Sequence, residues 1–368
     1  MSKNIVIFST YHGHKSIAQA MSEYLEKHGY KTSTHINPGM VLSYYVIIYK
    51  FLPFLNIVPF IVFKSELLQL ISEKILVKKH RDEIMEVIKE KNADIIINNF
   101  WSFRPAADAV IKEINLPYLN IVTDTWSSHP FIASGVADSN LAFDKKTTEA
   151  INPHQENIKT DIVGWFVRKE FEEDFDKEDV RKKIKINPKK LTFLFSAGSE
   201  GNEKMFGVIK KIVEKDFKIQ IIAAYGRNKE LLERIKNLNT ANLKNTTLLA
   251  IPFTKKISKY MKAADLIIGK AGPNSVFEAI ATESPFFALS HISGQEDGNL
   301  EIIKAEKIGF VEENSIKAVK LLEKIILNPK ILGEFKPNIK KMKKYNQQSK
   351  EKLLKIIQKA EKSKLDEK

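Results

Sequence analysis

The chain has 368 residues, more than one hydrophobic core usually organises, so two domains are expected. Hydrophobic residues make up 43% and charged residues 28%, an ordinary soluble balance, and the absence of cysteine excludes disulfides and thiolate chemistry. Fifty-nine Lys and Arg against 45 Asp and Glu give a net charge of +14, enough to attract a polyanion such as nucleic acid, an anionic membrane or a charged substrate.

Apolar strand-like runs alternate with helical patterns along the chain. They fall at Ile5–Phe8, Asp94–Ile97, Tyr118–Val122, Leu191–Phe195, Ile219–Ala224, Thr247–Ile251, Leu266–Ile268 and Phe286–Leu289. Such alternation predicts α/β structure, with parallel sheets covered by helices on both faces. The first strand starts almost at the N-terminus, with no signal-peptide pattern before it, and a cytosolic setting is expected.

The first strand runs into Thr10-Tyr11-His12-Gly13-His14-Lys15-Ser16 and then an amphipathic helix closed by Gly29. A glycine-containing loop there lies at the carboxyl edge of an open sheet, where ligands bind. The dinucleotide fingerprint GxGxxG is absent. His14 suits a general base, with an ordinary imidazole pKa of about 6.5; it equally suits a solvated loop or a contact to the helix start.

Met40–Phe63 (MVLSYYVIIYKFLPFLNIVPFIVF) is long enough to suggest a membrane span, but Lys50, Pro53, Asn56 and Pro59 interrupt it. An interfacial segment is expected, flanked by Lys50, Lys64, Lys78 and Lys79; a buried helical hairpin is the competing reading. The next strand leads into Val122-Thr123-Asp124-Thr125-Trp126-Ser127-Ser128-His129-Pro130, where Asp124 serves either chemistry or a turn cap. Between Gly164 and Lys190 the chain is polar. This places a boundary near Arg168, giving predicted domains 1–168 and 169–335, with a lysine-rich helical tail at 336–368.

The second half carries Ser196-Ala197-Gly198-Ser199-Glu200-Gly201, Gly226-Arg227-Asn228-Lys229 and Ile251-Pro252-Phe253 after successive strands. Small residues such as Gly198 let backbone approach a phosphate, and Arg227 offers a fork of donors to a diphosphate. The most informative stretch is Gly269–Asn299, GKAGPNSVFEAIATESPFFALSHISGQEDGN. Gly272, Pro273, Asn274 and Ser275 open a helix whose N–H groups and dipole favour a diphosphate. Glu278 and the pair Gln295 and Glu296 suit ribose and sugar hydroxyls. Glu278 also completes the pattern Ser275-x-x-Glu278, a capping box. Seven of the 15 glycines fall in these second-half motifs. No solenoid repeat, HExxH, EF-hand or Walker loop is present, and the scattered acidic residues form no metal pattern.

The run KAGPNSVFEA followed by SGQEDGN resembles the donor-binding half of monogalactosyldiacylglycerol synthases and, more loosely, diacylglycerol glucosyltransferases and the transferase that makes lipid II. VTDTWSSHP, SAGSEG and GRNK are similar to motifs of the same family, in the same order. The resemblance implies a GT-B fold, two doubly wound Rossmann-like domains with a donor/acceptor cleft, whose last helix returns to the first domain. It implies an inverting hexosyltransferase working on a UDP-sugar and diacylglycerol at the inner membrane face, with galactose favoured over glucose and neither metal nor cofactor needed. His14 or Asp124 would be the base, and Gly13 and His129 would stand on the acceptor side. Gly198, Arg227, Phe253, Gly272, Pro273, Asn274, Ser275, Glu278, Gln295 and Glu296 would hold the donor, with the backbone at Phe253 reading uracil. The family's first loop is of GGGH type with a nearby aspartate; the aspartate and two glycines have no match here. N-acetylglucosaminyl transfer to a polyprenyl acceptor, a hydrolysing UDP-sugar epimerase, a non-catalytic sugar-nucleotide binder and a nucleic-acid-binding module are the competing functions, the last without any visible motif.

Overall fold

A computed structural model of the chain describes residues 2–37, 65–152, 158–196, 203–238 and 243–366. The Met40–Phe63 segment, Lys64 and Gly198 lie outside these residues. The chain divides into two compact units: 1–169 with 292–298 and 345–368, and 170–291 with 299–344.

In the first unit, strands β1 (Asn4–Ser9), β2 (Lys31–Ile36), β3 (Ile95–Asn98), β4 (Tyr118–Ile121), β5 (Ser139–Ala142) and β6 (Thr160–Ile162) form one parallel sheet in the order 2-1-3-4-5-6. Burial on both faces explains why β1 and β3 read as unbroken apolar runs: Ile5 to Phe8 and Ile95 to Ile97 are at most 1% exposed. On one face, Val6, Phe8, Ile96 and Tyr118 pack with Ile84, Val87 and Ile88 of helix Glu66–Glu90 and Ala106, Ala107 and Val110 of helix Arg104–Ile114. The order reverses between β1 and β3, so their carboxyl ends flank a crevice of the kind that binds ligands in open α/β sheets.

The C-terminal segment completes this unit. Asn346 Oδ1 accepts the Trp165 N–H at 2.9 Å, the Tyr345 hydroxyl donates to the Phe143 carbonyl, and helix Ser349–Asp366 buries Leu353, Ile357 and Ala360. Glu361 meets Lys3 at 2.9 Å and Tyr30 at 3.1 Å. The tail joins this unit at Tyr345 rather than Lys336. Helix Lys336–Gln347 buries Ile339 and Met342 before that point, and its Lys343 pairs with Glu283 of the second unit at 2.8 Å.

The second unit has strands β7 (Thr192–Ser196), β8 (Gln220–Ala224), β9 (Thr247–Ile251), β10 (Leu266–Lys270), β11 (Phe286–Ser290) and β12 (Gly309–Val311) in the order 12-11-10-7-8-9. Counted within the unit this is 6-5-4-1-2-3, the doubly wound order of dinucleotide-binding domains, with its switch between β7 and β10. Gly269 is required at that seam, since a Cβ there would stand 2.6 Å from the Ser196 carbonyl oxygen. The polar stretch after Gly164 supplies helix Lys177–Lys183. Its buried Arg181 reaches Asp265 at 2.6 Å while Asp265 also accepts the Thr192 N–H at 2.9 Å, tying the helix to β7 and β10.

Candidate functional site

His14 lies in the first turn of helix Gly13–Lys27, immediately beyond β1, and bonds across the switch point to Asn99, the first residue after β3. Its Nδ1 is 2.5 Å from the Asn99 carbonyl oxygen, and the Asn99 amide donates back to the His14 carbonyl at 2.8 Å. A carbonyl only accepts, so Nδ1 carries the proton and Nε2 keeps the lone pair. The Phe100 ring stands edge-on to the imidazole at 5.3 Å. Burial pushes the His14 pKa down to about 4; the Asn99 contact opposes this and His12 adds to it. His14 is therefore a neutral imidazole across the physiological range, with one nitrogen able to take a proton.

The loop that carries it is strained. His12, the N-cap, has φ +59° and ψ −122°, a conformation natural to glycine and costly for other residues by about 1–3 kcal/mol. The strained position falls where the resembling family has one of its glycines. Asn99 carries a second cost, because its side-chain oxygen is buried without a hydrogen-bond partner, worth about 1–3 kcal/mol.

Asp124 follows β4 and is 6% exposed. Burial raises its pKa to about 7, opposed by the Gln295 amide and reinforced by the charge of Glu296. Gln295 Nε2 donates to Asp124 Oδ1 at 3.2 Å, the Ser127 hydroxyl donates to the Gln295 carbonyl at 2.6 Å, and the Gly298 N–H reaches Ser127 Oγ at 3.2 Å. Segment 292–298 and the Asp124 loop thus form one piece of the first unit. Gly298 permits the approach: a Cβ there would stand 2.4 Å from the Ser127 nitrogen. Glu296 closes its own turn, accepting the Ile292 N–H at 2.7 Å while its N–H donates to the Ile292 carbonyl at 2.8 Å. His129 Nδ1 accepts the Phe131 N–H at 3.1 Å and caps the short helix Pro130–Ile132. Gly13 starts the helix that bears His14.

In the second unit, helix Pro273–Ala281 starts directly beyond β10. Its N-cap is Gly272, which has no capping side chain; Pro273 occupies the first turn, and the first intrahelical bond is Val276 N–H to the Gly272 carbonyl at 3.1 Å. The capping-box reading of Glu278 fails for this reason, since Ser275 lies inside the helix and Glu278 sits in its second turn. At this end the Gly272 N–H donates to the Lys270 carbonyl at 2.8 Å and Pro273 has no N–H, so what the helix start presents to an anion is its positive pole and the N–H of Ser275 in the first turn.

Arg227 is exposed and stacks on the Phe253 ring at 4.4 Å, joining the turns after β8 and β9. Phe253 is 47% exposed, and its N–H already donates to the Gly226 carbonyl at 2.9 Å. Among the described residues, no group of three or more His, Asp and Glu is placed to hold a metal ion. No described helix is long and apolar enough to cross a membrane.

Residues 192–359 match the glycosyltransferase family 28 C-terminal domain. Two relatives named processive diacylglycerol beta-glucosyltransferase come from Bacillus licheniformis and Bacillus subtilis. The first is 25% identical over 70% of this chain and 67% of its own length. The second is 26% identical over 69% and 66%. In sequence the chain is thus similar to diacylglycerol glycosyltransferases. Its GT-B fold is shared with Acinetobacter baumannii MurG, at a TM-score of 0.64 and 16% identity over 98% of this chain and all of that one. Phytolacca americana UGT2, complexed with UDP-2fluoro-glucose and pterostilbene, gives a TM-score of 0.64 at 10% identity over 98% of this chain and all of its own. The chain spans about two thirds of the length of the two Bacillus relatives. Both are named for glucose, so the preference for galactose finds no support in them.

The structure also uses residues that sequence reasoning passed over. Asn99 holds the imidazole, and Asn98, Asn120 and Asn140 stand in register behind it. A lone Asn in an apolar strand gives little signal. Only the alignment of β3, β4 and β5 brings the three together.

Proposed function

We propose that this glycosyltransferase moves a hexose from a UDP-sugar to diacylglycerol at an anionic membrane surface, with inversion and without a metal or cofactor. The single observation that carries the reading is the neutral imidazole of His14, held through Nδ1 at the switch point of the first sheet with its Nε2 lone pair available. The acceptor hydroxyl attacks the anomeric carbon and the bond from that carbon to the diphosphate oxygen breaks. UDP departs with the bonding electrons, and the hydroxyl proton passes to His14 Nε2. Asp124 is the competing base and Gln295 its partner.

On the donor side, the Gly272–Ser275 helix start and Arg227 hold the diphosphate, Gly198 lets the backbone approach it, Phe253 faces the base, and Glu278 takes the ribose. Gln295 and Glu296 shape the sugar pocket. Gly13 and His129 belong to the acceptor side. Glucose is the first donor to test, because the two relatives are beta-glucosyltransferases by name. A β product from an α-linked UDP-sugar requires inversion. The +14 charge, with exposed Lys78 and Lys79, favours an anionic bilayer, and placement on the inner face of the cell membrane follows from the same reading.

Purified protein is incubated with diacylglycerol in anionic liposomes and UDP-glucose, UDP-galactose or UDP-N-acetylglucosamine, and glycolipid is detected by mass spectrometry. A monohexosyl or dihexosyl product from one donor supports the reading and identifies the sugar. UDP-sugar binding without any glycolipid defeats the diacylglycerol assignment.

A further inference from the structure

Asn98, Asn120 and Asn140 occupy matched positions on three adjacent parallel strands, Asn98 opposite Asn120 and Asn120 opposite Asn140. Each is at most 1% exposed. Their amides run one way: Asn98 Nδ2 donates to Asn120 Oδ1 at 2.8 Å, and Asn120 Nδ2 donates to Asn140 Oδ1 at 2.8 Å. The far end is anchored, since Asn140 Nδ2 donates to the Ser134 carbonyl at 2.8 Å and the Lys159 carbonyl at 3.1 Å, while its Oδ1 accepts the Ser134 N–H at 2.8 Å. Asn120 Nδ2 also donates to the Ile132 carbonyl at 2.9 Å. The near end is the informative one. Asn98 Oδ1 accepts the Phe100 N–H at 3.3 Å, an Asx-type turn that fixes the peptide on either side of Asn99.

Chemistry at His14 depends on that turn. The Asn99 carbonyl is the acceptor that keeps the His14 proton on Nδ1, and the Asn99 N–H is taken by the Phe8 carbonyl at 3.0 Å. Packing alone requires no polar row through the centre of a sheet, because burying three amides is tolerable only when every group is paired. Here the pairing also orients the turn. We infer that Asn98 and Asn120 are positioning residues for the transfer reaction: their amide ladder holds the Asn99 carbonyl where it fixes the His14 tautomer and keeps the Nε2 lone pair on the substrate side. This rests on the reading of His14 as base.

The test uses the full chain with 15N-labelled histidine, in which long-range proton–nitrogen correlations separate the Nδ1–H from the Nε2–H tautomer; His14→Gln assigns its signal among the eight histidines. Wild-type His14 is expected wholly as Nδ1–H. In Asn98→Ala and Asn120→Ala a mixed population appears, kcat falls about ten- to hundred-fold, and KM for the UDP-sugar stays within about two-fold. Asn98→Ser, which keeps an acceptor for the Phe100 N–H, restores much of the wild-type tautomer. Should Asn120→Ala not fold, Asn120→Ser is read in the same way. A folded variant at either position that leaves His14 wholly Nδ1–H and kcat unchanged overturns the inference. Retained kcat in His14→Ala removes the base reading instead, while the tautomer comparison still decides whether the ladder sets the imidazole.

Discussion

The carboxyl ends of the two sheets are furnished differently. In the first unit, side chains dominate: His14 is paired with Asn99, Asp124 with Gln295, and both ionisable groups sit far from their ordinary pKa. In the second unit the furniture is mostly backbone, with a glycine-capped helix start, a seam glycine at 269 and one solvent-facing stack of Arg227 on Phe253. Proton transfer needs a group whose basicity and direction are set in advance, which only a buried, partnered side chain supplies. Holding a diphosphate needs converging N–H groups, which any helix start provides.

The sharpest way to break this division is His14→Ala. Turnover is expected to drop about 10²- to 10⁴-fold while UDP affinity by calorimetry stays put; a parallel loss of affinity would erase the distinction. The pH–rate profile sharpens the same point. An acid limb in kcat/KM near 4 identifies His14 as the base, and one near 7 identifies Asp124. Next in size is Gly298→Ala. Its Cβ meets backbone at 2.4 Å, so the Trp126–Ser127 segment must move, at about 1–3 kcal/mol in urea denaturation. Arg227→Ala tests the other unit. The side chain is exposed, so thermal stability should not change while UDP binding weakens about ten-fold.

The smallest effect is a dependence of stability on pH. Asp124 titrates at about 7 when folded against an ordinary 3.8, so the folded state holds a proton that the unfolded chain releases between those values. Stability is lost as pH rises through that window. Asp124→Asn should therefore melt a few degrees above wild type at pH 8 and nearly with it at pH 4. His14 acts in the opposite sense. Its folded value of about 4 lies below the ordinary 6.5, so its contribution is present above 6.5 and is lost as pH falls toward 4. In wild type the two slopes oppose and largely cancel between about pH 4 and 6.5, so each is read as the difference between wild type and its own variant, Asp124→Asn or His14→Ala; a difference that does not change with pH contradicts that shift.

Most of the fold was legible because buried parallel strands are apolar on both faces, as in Ile5–Phe8 and Leu266–Ile268. The strands not anticipated are β2, β5, β6 and β12. Three of these are edge strands, and KTSTHI and TDI lack any apolar run because one side meets no neighbour. β5, SNLA, is polar because Asn140 serves the amide ladder. His14 and Asp124 were visible by their places after strands. Gln295 was visible as a sugar contact by its motif, but its hydrogen bond to Asp124 joins residues 171 positions apart, a pairing that no local pattern encodes.

The first unit is assembled from pieces that are far apart in the chain. During synthesis, helix Gly13–Lys27 and β1 are made early, but Tyr345, Asn346 and Glu361, which hold Phe143, Trp165, Lys3 and Tyr30, emerge last. Translation of the stretch between Lys169 and Tyr345 occupies a ribosome for roughly ten to thirty-five seconds. For that interval the sheet bearing His14 lacks its closing helix, while all six strands of the second unit are made before Tyr345 emerges. Fragments cut near Arg168 would inherit the same deficit permanently and expose the apolar surface that Leu353 and Ile357 cover in the whole protein.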